Sequence, residues 1–259
     1  MEFTCLRIEK RLPLAQVTLN RPAVLNALNA ETLAEFSEII EELAADPAVR
    51  VILLAGAGRA FAAGADIREL AALTAEEGRA FALRGQSLLR RIETLDKPVI
   101  ACIQGFALGG GCELAMACTL RLAADDARLG QPEVKLGVMT GFGGSQRLPR
   151  LVGRGAALKL LLTGATIDAG EALRIGLVDE VVPVAELMAH AEALALEIAA
   201  NAPLALAETL QAVDEGLGLP LDLALLREDV HFSRICGTAD KNEGTRAFLE
   251  KRPPAWKGE

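Results

Sequence analysis

Glu113 is the only charged residue between Pro98 and Leu120, in a stretch otherwise built of apolar residues, glycines and a few small polar groups. Such a stretch is expected to be buried, and burying a lone carboxylate without partners costs several kcal/mol. A carboxyl kept there is a candidate for a shifted pKa and for proton transfer. Glu133 follows twenty residues later in Gly130-Gln131-Pro132-Glu133, which the proline predicts to be extended. Two carboxyls brought together repel, which raises one pKa and provides an acid and a base near neutrality. The competing reading makes Glu113 the partner of a buried arginine and leaves Glu133 on the surface.

Two glycine-rich loops accompany these acids: Gly58-Arg59-Ala60-Phe61-Ala62-Ala63-Gly64-Ala65-Asp66 and Gly109-Gly110-Gly111. Each follows an apolar strand and precedes a helix, so its N–H groups lie unpaired at the positive end of a helix dipole. Two such loops can aim two donors at one oxygen, an arrangement in which each donor is worth about 3 kcal/mol in a transition state. Taken singly, each loop reads more readily as a tight turn and nothing more. A dinucleotide fingerprint beginning at Gly56 fails because Phe61 stands where the third glycine belongs, and no Gly-Lys-Ser/Thr marks a P-loop. A third fragment, Gly141-Phe142-Gly143-Gly144-Ser145-Gln146-Arg147, follows Glu133.

The elements that must position these residues alternate. An N-terminal hairpin turns at Arg11-Leu12-Pro13, and Asn29 is expected to cap a helix from Ala30 to Ala45. Val51–Ala55 and Val99–Ile103 are continuous apolar runs, as in strands covered on both faces, and each leads through glycines into a helix. A longer amphipathic helix spans about residues 75–94. This order implies an α/β core with parallel pairing. From Leu187 the pattern becomes helix after helix, over 187–200, 203–215, 221–236 and 239–250. We therefore divide the chain into a core over 1–195 and a helical C-terminal region over 196–259.

Composition narrows the function. The chain has 259 residues, is 51% hydrophobic and carries a net charge of −8, which argues against a nucleic-acid partner. Its five cysteines form no Cys-x-x-Cys pair and sit mostly in apolar segments, as small buried hydrophobes in a reducing compartment. With only His190 and His231, a zinc site or a Ser-His-Asp triad is not expected. The charged, alternating first ten residues do not resemble a signal peptide, and Glu113 with the triple glycine argues against a membrane span at 98–120, so the expected location is cytoplasmic.

The ordered set of fragments resembles the crotonase (enoyl-CoA hydratase/isomerase) superfamily. It runs from Leu19-Asn20-Arg21-Pro22 through Asn26-Ala27-Leu28 and the three fragments above. It continues with Leu162-Thr163-Gly164 and Gly176-Leu177-Val178, and ends at Phe248-Leu249-Glu250-Lys251-Arg252. The resemblance implies an α/β spiral of ββα units with a helical C-terminal region, assembled as a trimer or a dimer of trimers. It implies an acyl-CoA substrate and no cofactor apart from the coenzyme A that the substrate carries. It places the thioester oxygen on the N–H groups of Ala63 and Gly110 and the activated water between Glu113 and Glu133. Having both glutamates favours hydration over double-bond migration, with an isomerase or another acyl-CoA lyase as the alternative and a non-catalytic RNA-binding homologue as a remoter one.

The same resemblance nominates Ala62, Gly64, Ala65, Asp66, Ile67, Gly109, Thr140 and Gly141 as substrate contacts. Ala23 stands where many relatives carry a lysine, so Arg21, Arg59, Arg68 and Lys251 become the candidates for the coenzyme's phosphates. Thr140 replaces the proline usual before Gly141. Phe81, Leu89, Met139 and Phe142 are expected to line the acyl pocket.

Overall fold

The computed structural model describes residues 3–259; Met1 and Glu2, the start of the segment weighed as a signal peptide, lie outside the described residues. Strands β1 (Leu6–Arg11) and β2 (Leu14–Leu19) form the expected hairpin, with Leu6 opposite Leu19. Asn29 caps α1 (Ala30–Ala45) by accepting from Thr32 N at 2.9 Å, and the helix buries Leu33, Phe36, Ile39, Ile40 and Leu43. β3 (Val51–Gly56) is buried throughout and is followed by a short strand, β4 (Ala60–Ala62). Asp66 caps α2 (Ile67–Leu70), and α3 (Ala75–Glu93) opens on a capping box between Thr74 and Glu77.

The same order returns in β5 (Val99–Ile103), β6 (Phe106–Leu108) and α4 (Gly110–Met116), and in β7 (Leu120–Ala124), β8 (Arg128–Gly130) and α5 (Gly144–Thr163). β9 (Thr166–Asp168), α6 (Ala169–Arg174) and β10 (Glu180–Val182) complete the core. The long strands assemble in the order β1-β2-β3-β5-β7-β10, and the short ones form a second sheet, β4-β6-β8-β9. This is the spiral that the resemblance implies, each turn from β3 onward contributing one strand to each sheet. The short strands are not apparent in the sequence, because three residues inside a glycine loop carry too little alternation to register.

The helices from 187 onward fall close to the expected limits: α7 (Leu187–Ala199), α8 (Pro203–Gly216), α9 (Leu221–Cys236) and α10 (Ala239–Glu250). Helix α7 runs across residue 195. It lays Leu187, Ala191, Ala195 and Ala199 against the buried side chains of β3, β5 and β7. Among the described residues no single helix is long and apolar enough to cross a membrane.

One expectation about the site needs correcting. The segment carrying Glu133 is not extended: Pro132 precedes a 3-10 turn over Glu133–Leu136, which Gly137 ends in the left-handed region at φ 76°. A proline that fixes its own φ near the helical value can start such a turn as readily as a strand.

Candidate active site

The site lies where α4, the loop between β4 and α2, the 3-10 turn and the turn before α5 meet. Glu113 sits in the first turn of α4 and is 1% exposed. Helix α4 comes this close to β4 only because Gly111 has no side chain, since a Cβ there would lie 2.0 Å from Ala62 O. Among the described residues no arginine pairs with Glu113. Its Oε1 instead accepts from the main-chain N–H groups of Phe142, at 2.8 Å, and Gly144, at 2.6 Å.

Burial is the largest influence on this carboxyl and raises its pKa to about 7; the charge of Glu133 adds to the rise, and the two N–H groups oppose it. Glu133 is half-buried and is also raised, by desolvation. The Gln131 amide, oriented so that its nitrogen faces the carboxylate, donates to Glu133 Oε1 at 2.9 Å and to Oε2 at 3.2 Å. Gln131 is fully buried and escaped the sequence reading; its place two residues before an acid carries no signal of a contact.

Both acids line one cavity of about 190 Å³ together with Ala63, Gly64, Ala65, Gly109 and Gly110. The amides there differ from expectation. Ala63 N donates to Leu25 O at 2.9 Å, so its N–H is already used. The segment 25–28 runs beside this loop, with Leu28 N donating to Gly64 O at 2.8 Å and Asp66 N to Leu28 O at 2.9 Å. Gly64, at φ +100°, turns the chain between those bonds, and the Ala65 N–H faces away from the 25–28 segment. Among the described residues neither Ala65 N–H nor Gly110 N–H has a protein acceptor. They lie close together, for a Cβ on Gly110 would be 3.4 Å from Ala65 N. The pair of free donors is thus Ala65 and Gly110, and Ala63 is corrected to a structural hydrogen bond.

Asn26 holds this loop from below. Buried and itself left-handed at φ 57°, it donates from Nδ2 to Ala60 O at 2.8 Å and Ala57 O at 2.9 Å, and accepts from Arg21 N at 2.9 Å. Arg21 Nη2 reaches Asp66 at 3.1 Å and its Nη1 donates to Ala27 O. Arg21 and Asp66 therefore serve the loop, and neither faces the cavity. Arg59, Arg68 and Lys251 are exposed and lie outside the cavity wall, as does the buried Ala62.

Of the expected acyl-pocket residues, Phe81, Met139 and Phe142 line the cavity, joined by Ile67 and Gly141. Leu89 does not, being fully buried in the core two turns further along α3. Thr140 also stands behind the wall, its Oγ1 accepting from Ser145 N at 3.0 Å. The Phe142 ring meets Phe81 at 5.2 Å between centroids, tilted by 55°. It lies flat on α3 at Gly85, where a Cβ would come 2.2 Å from the ring.

Among the described residues the other nucleophilic and titratable groups are absent from the cavity wall. His190 pairs with Glu180 and His231 with Glu208. Burial holds the Cys112 thiol up at about 12.

Known proteins resemble this chain along nearly its whole length. The model of the enoyl-CoA hydratase/isomerase family matches residues 9–259. The chain belongs to that family. It is 48% identical over 253 residues to the short-chain-enoyl-CoA hydratase of Clostridium acetobutylicum, covering 97% of each chain. It is 46% identical to the crotonyl-CoA hydratase of Syntrophomonas wolfei, again over 97% of each. The crystal structure of enoyl-CoA hydratase from Bacillus anthracis superposes with a TM-score of 0.96 at 39% identity, covering 99% of this chain and 100% of that one.

A folded-state pKa raised to about 7 means that the folded protein holds a proton on Glu113 which the unfolded chain has already released. Stability from this group is complete below the unfolded carboxyl pKa and is lost as pH rises through 7, by about 3 kcal/mol if nothing compensates. Urea unfolding of wild type and Glu113→Gln between pH 4 and 8 should show this fall in wild type only; parallel curves would mean an unshifted carboxyl.

Proposed function

We infer that the chain adds water reversibly to the 2,3-double bond of a 2-enoyl-CoA, and that the acyl group is short. The observation that carries this reading is that Glu113, Glu133 and the unpaired N–H groups of Ala65 and Gly110 open on one cavity. The thioester carbonyl is held by the two amides, which stabilise the enolate character that develops on it. Glu113 and Glu133 hold the water between them. Its oxygen bonds to C3, its proton passes to the carboxylate pair, and the pair delivers a proton to C2, so the elements of water are added with no net change in the protein. Raised pKa values suit both acids to exchange protons near neutrality. In this reading the acids and amides carry the chemistry, and coenzyme A enters only as part of the substrate.

The reading predicts loss of the 2-enoyl thioester absorbance when the protein meets crotonyl-CoA. Glu113→Gln, a near-isostere that can still accept from Phe142 N and Gly144 N, should lower kcat by about three orders of magnitude or more while thioester binding persists. Deuterium entering C2 without hydration would instead assign the isomerase reaction.

The preference for short chains is inferred from the aromatic wall that Phe81 and Phe142 make across the small cavity. Replacing Phe81 by Ala is expected to raise kcat/KM for eight-carbon over four-carbon enoyl-CoA by about tenfold, within the range a few methylenes are worth in such a pocket. An unchanged ratio across a panel of chain lengths would remove Phe81 from the specificity wall.

A homo-oligomer, a trimer or a dimer of trimers, completes the proposal. Its support is the apolar surface of the C-terminal helices, where Leu217, Phe248 and Leu249 are each at least 80% exposed. Sedimentation equilibrium should give a mass of three or six chains, and a monomer at micromolar concentration would contradict it.

A further inference from the structure

We propose that Thr140 is a positioning residue for Glu113, acting through the turn that holds the carboxylate. The proposal deepens the hydratase reading and rests on it. Among the described residues Glu113 receives main-chain N–H groups alone, from Phe142 and Gly144, so the shape of the turn from Gly141 to Gly144 decides where its Oε1 sits. Three side chains clamp that turn from outside the cavity. Gln86 Nε2 donates to Gly141 O at 2.8 Å, Arg147 Nη1 donates to Phe142 O at 2.8 Å, and Thr140 Oγ1 accepts from Ser145 N at 3.0 Å.

The threonine clamp adjoins the shorter of the two bonds to the acid. Ser145 is the second residue of α5, and its N–H has no acceptor within the helix. The Thr140 hydroxyl ties that N–H across the turn, while its methyl sits so near Gly144 that a Cβ there would meet Thr140 Cγ2 at 3.0 Å. Gly144 N is the donor at 2.6 Å from Glu113, so the clamp and the carboxylate grip adjacent peptides. Thr140 is 7% exposed and lies behind the cavity wall, which leaves its hydroxyl on the helix rather than on a substrate.

Loosening this clamp lets the Gly144 N–H withdraw, and the proton on Glu113 is then held more tightly. The charged and titratable groups facing Glu113 are Glu133 from the 3-10 turn, Arg147 from α5 and Cys112 on its own helix, with Glu93 of α3 behind Arg147. A substitution at Thr140 changes none of these side chains.

The test compares Thr140→Val, which keeps the shape and removes the acceptor, with Thr140→Ser, which keeps the hydroxyl. Hydration of crotonyl-CoA is followed against pH, and the Glu113 carboxyl is titrated directly by 13C NMR in glutamate-labelled protein without substrate. T140V should lower kcat about tenfold, the effect of one hydrogen bond, with little change in KM and an upward move of the Glu113 titration. T140S should restore both to within about threefold of wild type. Wild-type kcat and titration in T140V, or a serine variant as impaired as the valine one, would overturn the role. If T140V does not fold, a Glu113 titration in T140S that matches wild type supports the hydroxyl clamp, and a shifted one overturns it. A wild-type protein that hydrates no enoyl-CoA would defeat the functional reading, while the NMR titrations still decide whether Thr140 positions Glu113.

Discussion

A buried carboxylate held by the main chain is the constraint around which this molecule is built. Glu113 takes two neutral N–H groups in place of a cationic partner. Those donors satisfy Oε1 without supplying a full positive charge, so the cost of desolvation survives as a raised proton affinity. An arginine in the same position would favour the ionised form and abolish that property. The nearest one, Arg147, is held at one remove, paired with Glu93 at 3.1 Å and donating to the Phe142 carbonyl. The local sequence follows from this arrangement: glycine at 111 so that α4 can sit on β4, and glycine at 144 so that the second donor can approach.

The opposite wall depends on a second main-chain device. Segment 25–28 takes up the N–H groups of Ala63 and Asp66 and the carbonyl of Gly64, and leaves Ala65 N–H over. Asn26, buried beneath, anchors that segment to the carbonyls of Ala57 and Ala60. An N–H without a partner is costly in a buried loop unless a ligand or water takes it. Here the cost falls on two amides from different turns of the spiral, Ala65 and Gly110, that face the same cavity. The double-sheet architecture serves this purpose, because the short strands β4 and β6 pair in parallel and so deliver their following loops to the same edge.

The C-terminal helices solve a different problem. Helix α7 buries an alanine-rich face on the large sheet, whereas α8 to α10 leave leucines and phenylalanines exposed. Helices with that pattern have more apolar surface than one chain can cover.

Much of this was legible in the residues alone. A lone charge in an apolar run located Glu113, since hydropathy reports burial directly. The long apolar strands and the capped helices emerged close to their limits because they are long enough for periodicity and caps to register. Other features were decided by tertiary contact. Whether Ala63 or Ala65 offers its N–H depends on which neighbour claims the other, and the neighbour, Leu25, is distant in sequence. Leu89 and Phe81 share one amphipathic helix and the same apolar character, and only the tertiary packing leaves Phe81 on the cavity wall and Leu89 off it. The Thr140 hydroxyl likewise had no direction until α5 presented an N–H to it. Sequence determines which groups are buried and which chemistry they can perform, because those are properties of side chains. The pairing of each amide belongs to the tertiary structure, because every residue carries the same N–H and only folding selects its acceptor.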